Sequence, residues 1–298
     1  MQTLPKEVEQ LFHYLQNGTS AFHVIAHTKQ VLTEAGFTEL HIKDNWTLTK
    51  GSRYFCSPFD TTLYAFTIGE SCDLSNGIHI AGAHTDFPAI KIKPNPEIFS
   101  HGYMQLNTEV YGGPILNTFF DRPLSLAGKV VTKGDRYDRP VSHLVDLKRP
   151  AVYLPNLAIH MNRAINENGA PIDNQKHLLP ILGTLNEYLN KDTTFMDLLS
   201  KEIGVDAKDI LDYDLCMYNL DQPELVGFTE EFISAPRLDD ITSVCALIHG
   251  LVESKNADRV NLVCLFRCAG KTDSRAESNF GRMRTFMVRR TYRQGADS

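Results

Sequence analysis

Two short, continuously apolar segments constrain the fold more than any other feature of this sequence. The first, IHIAGA, covers residues 78–83, and the second, RVNLVCLF, ends at Phe266. Apolar runs of this length without polar alternation are typical of strands buried on both faces of a sheet in α/β proteins. Helical patterns over residues 5–16 and 20–35, and again in TSVCALIHGLVES, supply helices that could cover such a sheet. The sequence therefore predicts a mixed α/β layer.

A different pattern occupies residues 93–233. Segments such as GYMQLNTEVYGGPILNTFF and HLLPILGTL are short β-like runs, separated by Gly-Gly-Pro, Arg-Pro and Lys-Gly-Asp turns. After this region, APRLDDITSVCALIHGLVES returns to the first pattern. We therefore expect a β-rich insertion domain at 93–233 that interrupts an α/β domain formed by residues 1–92 and 234–298.

His84 and Asp86 follow the first apolar strand directly, in the sequence AGAHTDFP. The carboxyl ends of strands are where open α/β sheets place their ligands. Side chains two residues apart on an extended segment project to the same side. An imidazole and a carboxylate placed in this way can share a metal ion, or the carboxylate can orient the imidazole. A hydrogen-bonded polar pair at the mouth of a loop is the alternative that the motif alone leaves open.

A second acidic motif, RLDD, contains Asp239 and Asp240 and stands immediately before the helix ITSVCALIHGL. An aspartate at this position can cap the helix by accepting backbone N–H bonds. Capping explains one acid but not two in succession. Zinc sites use histidine nitrogen and carboxylate oxygen, and two-metal peptidases need a carboxylate that bridges both ions. Both interpretations stay open at this point.

Composition limits the partners and the cellular location that can be expected for this protein. The net charge of −6 gives no reason to expect a nucleic-acid partner, and no apolar run approaches the ~20 residues that a membrane helix needs. The six cysteines are widely spaced without zinc-finger spacing, which indicates reduced thiols in a cytoplasmic protein. The segment from Arg267 to Arg293 differs from the rest, with eight Lys or Arg against two acids.

Five segments in consistent order resemble the aspartyl aminopeptidase family of zinc metallopeptidases. They are AGAHTDFPAIKIKP, GYMQLNTEVYGGPILNTFFDRPLSLAGKV, LAIHMNRAINENG, NQKHLLPIL and EEFISAPRLDD. The resemblance runs from about residue 15 to Phe266. It implies a mixed-sheet α/β metallopeptidase domain with a β-rich insertion. It also implies two zinc ions per site, removal of N-terminal Asp or Glu from peptides, and assembly into large homo-oligomers.

The resemblance also implies a role for individual residues. His84 becomes a metal ligand, and Asp86 becomes the carboxylate that orients it. Asp239 becomes the carboxylate that bridges the two metals, and Asp240 stands where the family more often has Asn. His160, in LAIHM, corresponds to a histidine of the insertion domain that enters the active site of a neighbouring subunit.

The resemblance breaks directly after RVNLVCLF. There the family continues with Asp-Asn-Glu-Glu, which supplies the general base and a metal ligand, whereas this chain continues with RCAGKTDSRAESNFG and ends in QGADS. A local reading-frame slip would produce a basic segment between two family-like ones, and a real insertion is the alternative. In an insertion, Glu277 is the carboxylic acid that could stand in for the base, but it lies eleven residues beyond the strand.

We therefore expect a catalytic domain that is C-terminally incomplete and inactive as written, because His84 and Asp239 alone do not hold two zinc ions. A non-catalytic family member that serves as a structural or regulatory subunit of the oligomer is the first alternative. A nucleic-acid-binding role for the basic segment is the second. The first predicts assembly without turnover, and the second predicts salt-sensitive binding to single strands.

Overall fold

The computed structural model describes residues 4–169, 171–255 and 257–267. These residues form two main β-sheets with helices. In chain order the helices are α1 (Lys6–Asn17), α2 (Ala21–Glu34), α3 (Ile165–Asn168), α4 (Phe195–Ile203) and α5 (Leu238–Glu253). The strands are β1 (Thr38–Glu39), β2 (Arg53–Phe59), β3 (Thr62–Ile68), β4 (Ile78–His84), β5 (Ala89–Ser100), β6 (Tyr103–Tyr111), β7 (Pro123–Thr132), β8 (Val141–Asp146), β9 (Val152–Tyr153), β10 (Ile181–Thr184), β11 (Ile210–Asn219), β12 (Glu224–Val226), β13 (Phe232–Ser234) and β14 (Val260–Phe266).

The first sheet has five strands in the order β1-β2-β3-β14-β4. β14 runs antiparallel to β3 and parallel to β4, so the sheet is mixed, as the family resemblance implied. Helices α1, α2 and α5 pack on this sheet because each presents an apolar face to it. The shared core comprises Tyr14, Leu15, Val24, Ile25, Phe55, Leu63, Ile241, Val244, Ile248 and Leu265.

The two apolar strands that led to this prediction differ in their burial. β14 lies between two partners and is buried along most of its length, as expected. For β4 the expectation of burial on both faces was wrong, since Ile80 is 41% exposed. Among the described residues β4 pairs only with β14 and is therefore an edge strand of the sheet. Apolar composition alone does not distinguish an edge strand from an interior one.

The second sheet forms a closed, barrel-like ring of six strands. The order is β5-β6-β10-β9-β7-β11, and β11 pairs again with β5, while β8 extends the sheet beside β7. Closure removes exposed strand edges from the ring. Its apolar core includes Ile90, Leu106, Leu124, Leu126, Val130, Leu215 and Met217. The β-rich character expected of this region is confirmed, whereas the boundaries at 93 and 233 stay a prediction.

Short connections and polar contacts join the barrel to the α/β part. Residues 85–88 link β4 to β5, so the end of an α/β strand leads almost directly into the barrel. Thr19 donates a hydrogen bond to Asp146 at 2.9 Å, and Lys129 forms an ion pair with Asp60 at 2.9 Å. The polar site described next lies at this junction. Among the described residues, no helix combines the length and the apolar character that crossing a membrane requires.

Candidate metal centre

His84 is the last residue of β4 and defines the position of the site. Phe266, the last residue of β14, lies opposite it in the parallel pair, so the carboxyl ends of both strands meet here. The Nδ1 atom of His84 lies 2.8 Å from the backbone oxygen of Asp86. Because a carbonyl oxygen can only accept, Nδ1–H donates this hydrogen bond. The lone pair of Nε2 is then available for a metal ion.

Asp239 and Asp240 face the Nε2 atom of His84 from the start of α5. Their backbone dihedral angles are not helical, and Arg237 occupies the N-cap position instead of either acid. The Oδ1 atom of Asp239 is 3.2 Å from Nε2, and the Oδ2 atom of Asp240 is 3.8 Å from it. Asp240 Oδ2 also accepts a hydrogen bond from the backbone N–H of His84 at 3.1 Å. The acids thus contact the strand end rather than capping the helix.

The electrostatics of this cluster favour a cation. The Asp86 carboxylate, through its bond to the ring, raises the pKa of His84 to about 9, although burial works in the opposite direction. Asp240 adds to the rise. With this pKa the imidazole is protonated at neutral pH and is the cation between the two carboxylates, so a metal ion that binds at Nε2 displaces this proton. One ligand atom from each of His84, Asp239 and Asp240 lies within 4.8 Å of the others, and this N and O donor set suits zinc.

Asp86 is held in place behind His84. Its side chain is only 7% exposed, and its Oδ1 atom is 3.5 Å from His84 Nδ1. The hydroxyl of Tyr111 donates a hydrogen bond to Asp86 Oδ2 at 2.6 Å. Burial, together with this bond, raises the pKa of Tyr111 to about 12, so the phenol is protonated at neutral pH. The orienting role that the resemblance implied for the Asp86 carboxylate stays a prediction, because the backbone oxygen of Asp86 is the atom closest to His84 Nδ1.

A group of charged residues lies next to Tyr111, and the sequence analysis did not find it. Arg267 donates from Nε to the Tyr111 hydroxyl at 3.1 Å and from Nη1 to Asp214 at 2.9 Å. Lys91 pairs with the other oxygen of Asp214 at 2.6 Å. The β5–β6 hairpin places Tyr111 opposite Ala89, which starts β5 three residues after Asp86. Tyr111 could have been found from the sequence by a correct prediction of this register.

A cavity of about 540 Å³ adjoins Asp239. The side chain of Asp239 is 88% exposed, so a ligand in the cavity can reach it. Arg122 and Arg237 contribute the guanidinium groups of the lining. Arg122 pairs with Asp221 at 2.8 Å. Arg237 instead donates to the backbone oxygens of residues 15 and 219, at 2.8 and 3.3 Å, so these bonds do not neutralise its charge.

Two residues named from the sequence are not part of this cluster. His160 lies in an exposed irregular segment between β9 and α3, and the metal-ligand cluster of the same chain does not include it. Its predicted place in a neighbouring subunit stays a prediction. Glu277 lies outside the described residues. Within residues 4–169, 171–255 and 257–267, the cluster contains no second histidine and no glutamate.

The family model and two relatives that match this sequence name the same family. The sequence model described as aminopeptidase I zinc metalloprotease (M18) matches residues 14–281. A probable M18 family aminopeptidase 2 from Clostridium novyi is 40% identical over 283 residues, which cover 94% of this chain and 65% of that protein. Its counterpart from Clostridium acetobutylicum is 41% identical over 276 residues, covering 91% and 64%. The chain therefore spans less than two thirds of the length of either relative. The family description confirms zinc as the expected metal.

Solved structures with the same fold include two mApe1 proteins. That of Chaetomium thermophilum superposes with a TM-score of 0.80 at 26% identity, over 93% of this chain and 68% of that one. A yeast mApe1 dodecamer superposes with a TM-score of 0.68 at 21% identity, over 88% and 60%. These similarities confirm the α/β fold with its barrel-like sheet.

Proposed function

Because the chain belongs to the M18 family of aminopeptidase I zinc metalloproteases, we propose that its site is the metal- and substrate-binding part of an active site that removes acidic residues from the N-termini of peptides. The observation that carries this proposal is the convergence of His84, Asp239 and Asp240 beside an open cavity. The residues come from two elements far apart in the sequence, and together they offer the ligand types of a catalytic zinc site.

Each residue of the site would have a different role. His84 would hold zinc through Nε2, and Asp239 and Asp240 would hold it through carboxylate oxygens. Asp86 fixes the tautomer and the orientation of His84. Zinc in such a site supplies Lewis-acid polarisation of the peptide carbonyl and a more acidic water. Of the three ligands, Asp239 is the one that lines the cavity, so a substrate bound there would contact it.

Acidic specificity is supported by one guanidinium group in the lining of the cavity, since Arg122 already pairs with Asp221. Arg237 lines the space beside Asp239, and its hydrogen bonds go to backbone carbonyls. A guanidinium group is well suited to bind the carboxylate of an Asp or Glu side chain. Phe87 and Tyr218 lie within 6 Å of this guanidinium and limit its movement.

Turnover by this chain is expected to be negligible, as the sequence predicted. Arg267 occupies the first position after β14, where the resemblance places the acidic motif with the general base. Its guanidinium is bound to Tyr111 and Asp214 and cannot accept a proton from water. Three ligands suit one zinc ion, and a dinuclear site needs more ligands than the described residues bring together.

The presence of Arg267 where the resemblance places the acidic motif also favours a second candidate function, that of a non-catalytic subunit of a family assembly. A solved yeast mApe1 is a dodecamer, and this supports the proposal that the present chain also assembles with copies of itself. We propose that His160, which is exposed, contacts the site of a neighbouring copy in such an assembly. Cys72, Cys216, Cys245 and Cys264 are free, which supports the proposal of a reducing, cytoplasmic location.

Binding experiments test the proposal independently of turnover. The zinc-loaded chain is titrated with aspartic acid hydroxamate and with leucine hydroxamate, since hydroxamates bind zinc in such sites. We expect the aspartic compound to bind at least about tenfold more tightly, or about 1.4 kcal/mol. A preference for leucine would overturn the acidic specificity. If a His84→Ala variant bound the hydroxamates as tightly as the parent chain, the proposed zinc site would be refuted.

Activity and mass measurements separate the two candidate functions. Hydrolysis of an aspartyl nitroanilide that a chelator abolishes would establish the enzyme and contradict the expected inactivity. A multi-subunit mass in light scattering without hydrolysis supports the role of a structural subunit. Hydrolysis that persists in chelator would overturn the metal-dependent mechanism.

A further inference from the structure

We propose that Tyr111, a residue of the barrel, positions the metal site by holding the Asp86 carboxylate against His84. The inference rests on the proposed function, because it concerns the same zinc site. Tyr111 is the last residue of β6, and its hydroxyl lies 2.6 Å from Asp86 Oδ2. It would be a positioning residue, since it acts on His84 only through Asp86.

The geometry of Asp86 explains why it needs such a partner. One carboxylate oxygen, Oδ1, faces His84 Nδ1 at 3.5 Å, and the backbone oxygen of Asp86 accepts from the same nitrogen at 2.8 Å. The carboxylate can rotate about its terminal bond. A short bond from Tyr111 to Oδ2 restricts that rotation and keeps Oδ1 directed at the imidazole. The orientation of the imidazole in turn determines where Nε2 presents its lone pair.

The environment of Tyr111 fixes the direction of its proton. Arg267 donates to the Tyr111 oxygen from Nε at 3.1 Å, and a guanidinium group cannot accept a hydrogen bond. The phenol proton must therefore point elsewhere, and Asp86 Oδ2 is the acceptor within reach. The phenol thus has a defined role as a donor to the carboxylate.

Two cations keep the ring of Tyr111 in place. The Lys91 ammonium and the Arg267 guanidinium lie 5.4 and 5.0 Å from its centroid, within the range of cation–π attraction. Asp214 binds both cations, at 2.6 and 2.9 Å. Lys91, Tyr111 and Asp214 belong to three different barrel strands. The barrel therefore supports the metal site of the α/β part through one hydroxyl group.

The dissociation constant for Zn²⁺ alone, measured by competition with a chromophoric chelator, tests this role in the full 298-residue chain. Loss of a residue behind a metal ligand typically costs 10–100-fold in metal affinity. Tyr111 is one contact further away, so we expect Tyr111→Phe to weaken zinc binding by about tenfold, the lower end of that range. The absorption spectrum of the Co²⁺-loaded chain should change as well, because the orientation of His84 changes.

Tyr213→Phe is the matched control. The Tyr213 hydroxyl also donates a 2.6 Å hydrogen bond, to the backbone oxygen of Lys93, and its side chain is likewise partly buried. It belongs to the barrel but does not contact Asp86. We expect it to lower thermal stability to a similar degree as Tyr111→Phe while leaving zinc affinity and the Co²⁺ spectrum unchanged.

A double variant distinguishes action through Asp86 from general loosening. On an Asp86→Asn background, Tyr111→Phe should cause little further loss of zinc affinity, because the carboxylate that it orients is gone. Unchanged affinity of Tyr111→Phe, or equal losses on both backgrounds, would overturn the inference and leave the proposed function intact. If His84→Ala binds zinc as tightly as the parent chain, the site itself is refuted and the inference falls with it.

Discussion

Replacement of Asp214 by Asn tests the network that joins the barrel to the metal site. Asp214 accepts from Lys91 at 2.6 Å and from Arg267 at 2.9 Å. All three side chains are at most 30% exposed, so the pairs are only partly screened by water. The variant leaves two cations near one another without the carboxylate that both of them bind.

The magnitude follows from distance and burial. At an effective dielectric constant of about 20, the Coulomb attraction of each pair is about 6 kcal/mol, most of which desolvation offsets. Removing one partner of a fully buried pair costs about 3–5 kcal/mol. Because this group is partly exposed, we expect Asp214→Asn to lower the free energy of unfolding by about 2 kcal/mol at pH 7.

The pH dependence has a definite sign. Burial opposes ionisation of Asp214, but the hydrogen bonds from Lys91 and Arg267 outweigh it and lower the pKa of the carboxyl. A depressed pKa in the folded state means that the stabilisation is present above the unfolded pKa of about 3.9. It is lost as the pH falls through the folded value. The difference between the parent chain and Asp214→Asn should therefore shrink below about pH 4.

Urea unfolding at pH 7 and at pH 3, followed by circular dichroism, measures both effects. Glu253→Gln is the control, because Glu253 and its partner Lys6 are both exposed and their pair should have no measurable effect on unfolding. Equal stability of Asp214→Asn and the parent chain at pH 7 would refute the reasoning. A difference that stays constant on acidification would refute the assigned charge state.

Two further predictions concern the cores of the two sheets. Leu215→Ala removes a fully buried side chain from β11, the strand that closes the barrel. We expect it to lower the free energy of unfolding, measured in urea, by about 3 kcal/mol. A loss below about 1 kcal/mol would contradict the closed core. Burial raises the pKa of Cys245 and Cys264 to about 12, so both thiols should resist a thiol reagent such as DTNB at pH 8 until the chain unfolds. Rapid labelling of native Cys245, detected by peptide mapping, would contradict the packing of α5 on the sheet.

Local patterns in the sequence were sufficient to predict the strand and helix that carry the ligands. The apolar run before His84 and the helix after Asp239 both exist, and they bring these residues together across 155 positions of sequence. The motifs alone left helix capping open for Asp239, and it was the family resemblance that implied a shared metal site with His84.

Other features could not be read from local patterns, because they depend on pairing between distant segments. Tyr111 reaches Asp86 through the register of the β5–β6 hairpin, and its sequence context, EVYGGP, gives no sign of a carboxylate partner. Asp240 accepts a hydrogen bond from the backbone N–H of His84, a contact that no sequence motif predicts. The exposure of Ile80 follows from the edge position of β4, which composition does not reveal.

The most direct test of the central claim is an anomalous-scattering map, collected at the zinc absorption edge from crystals of the zinc-loaded chain. The account predicts a peak about 2.0–2.2 Å from His84 Nε2 and from a carboxylate oxygen of Asp239, with Asp240 completing the protein ligands. No peak at His84, or zinc bound only at side chains outside this cluster, would contradict the account.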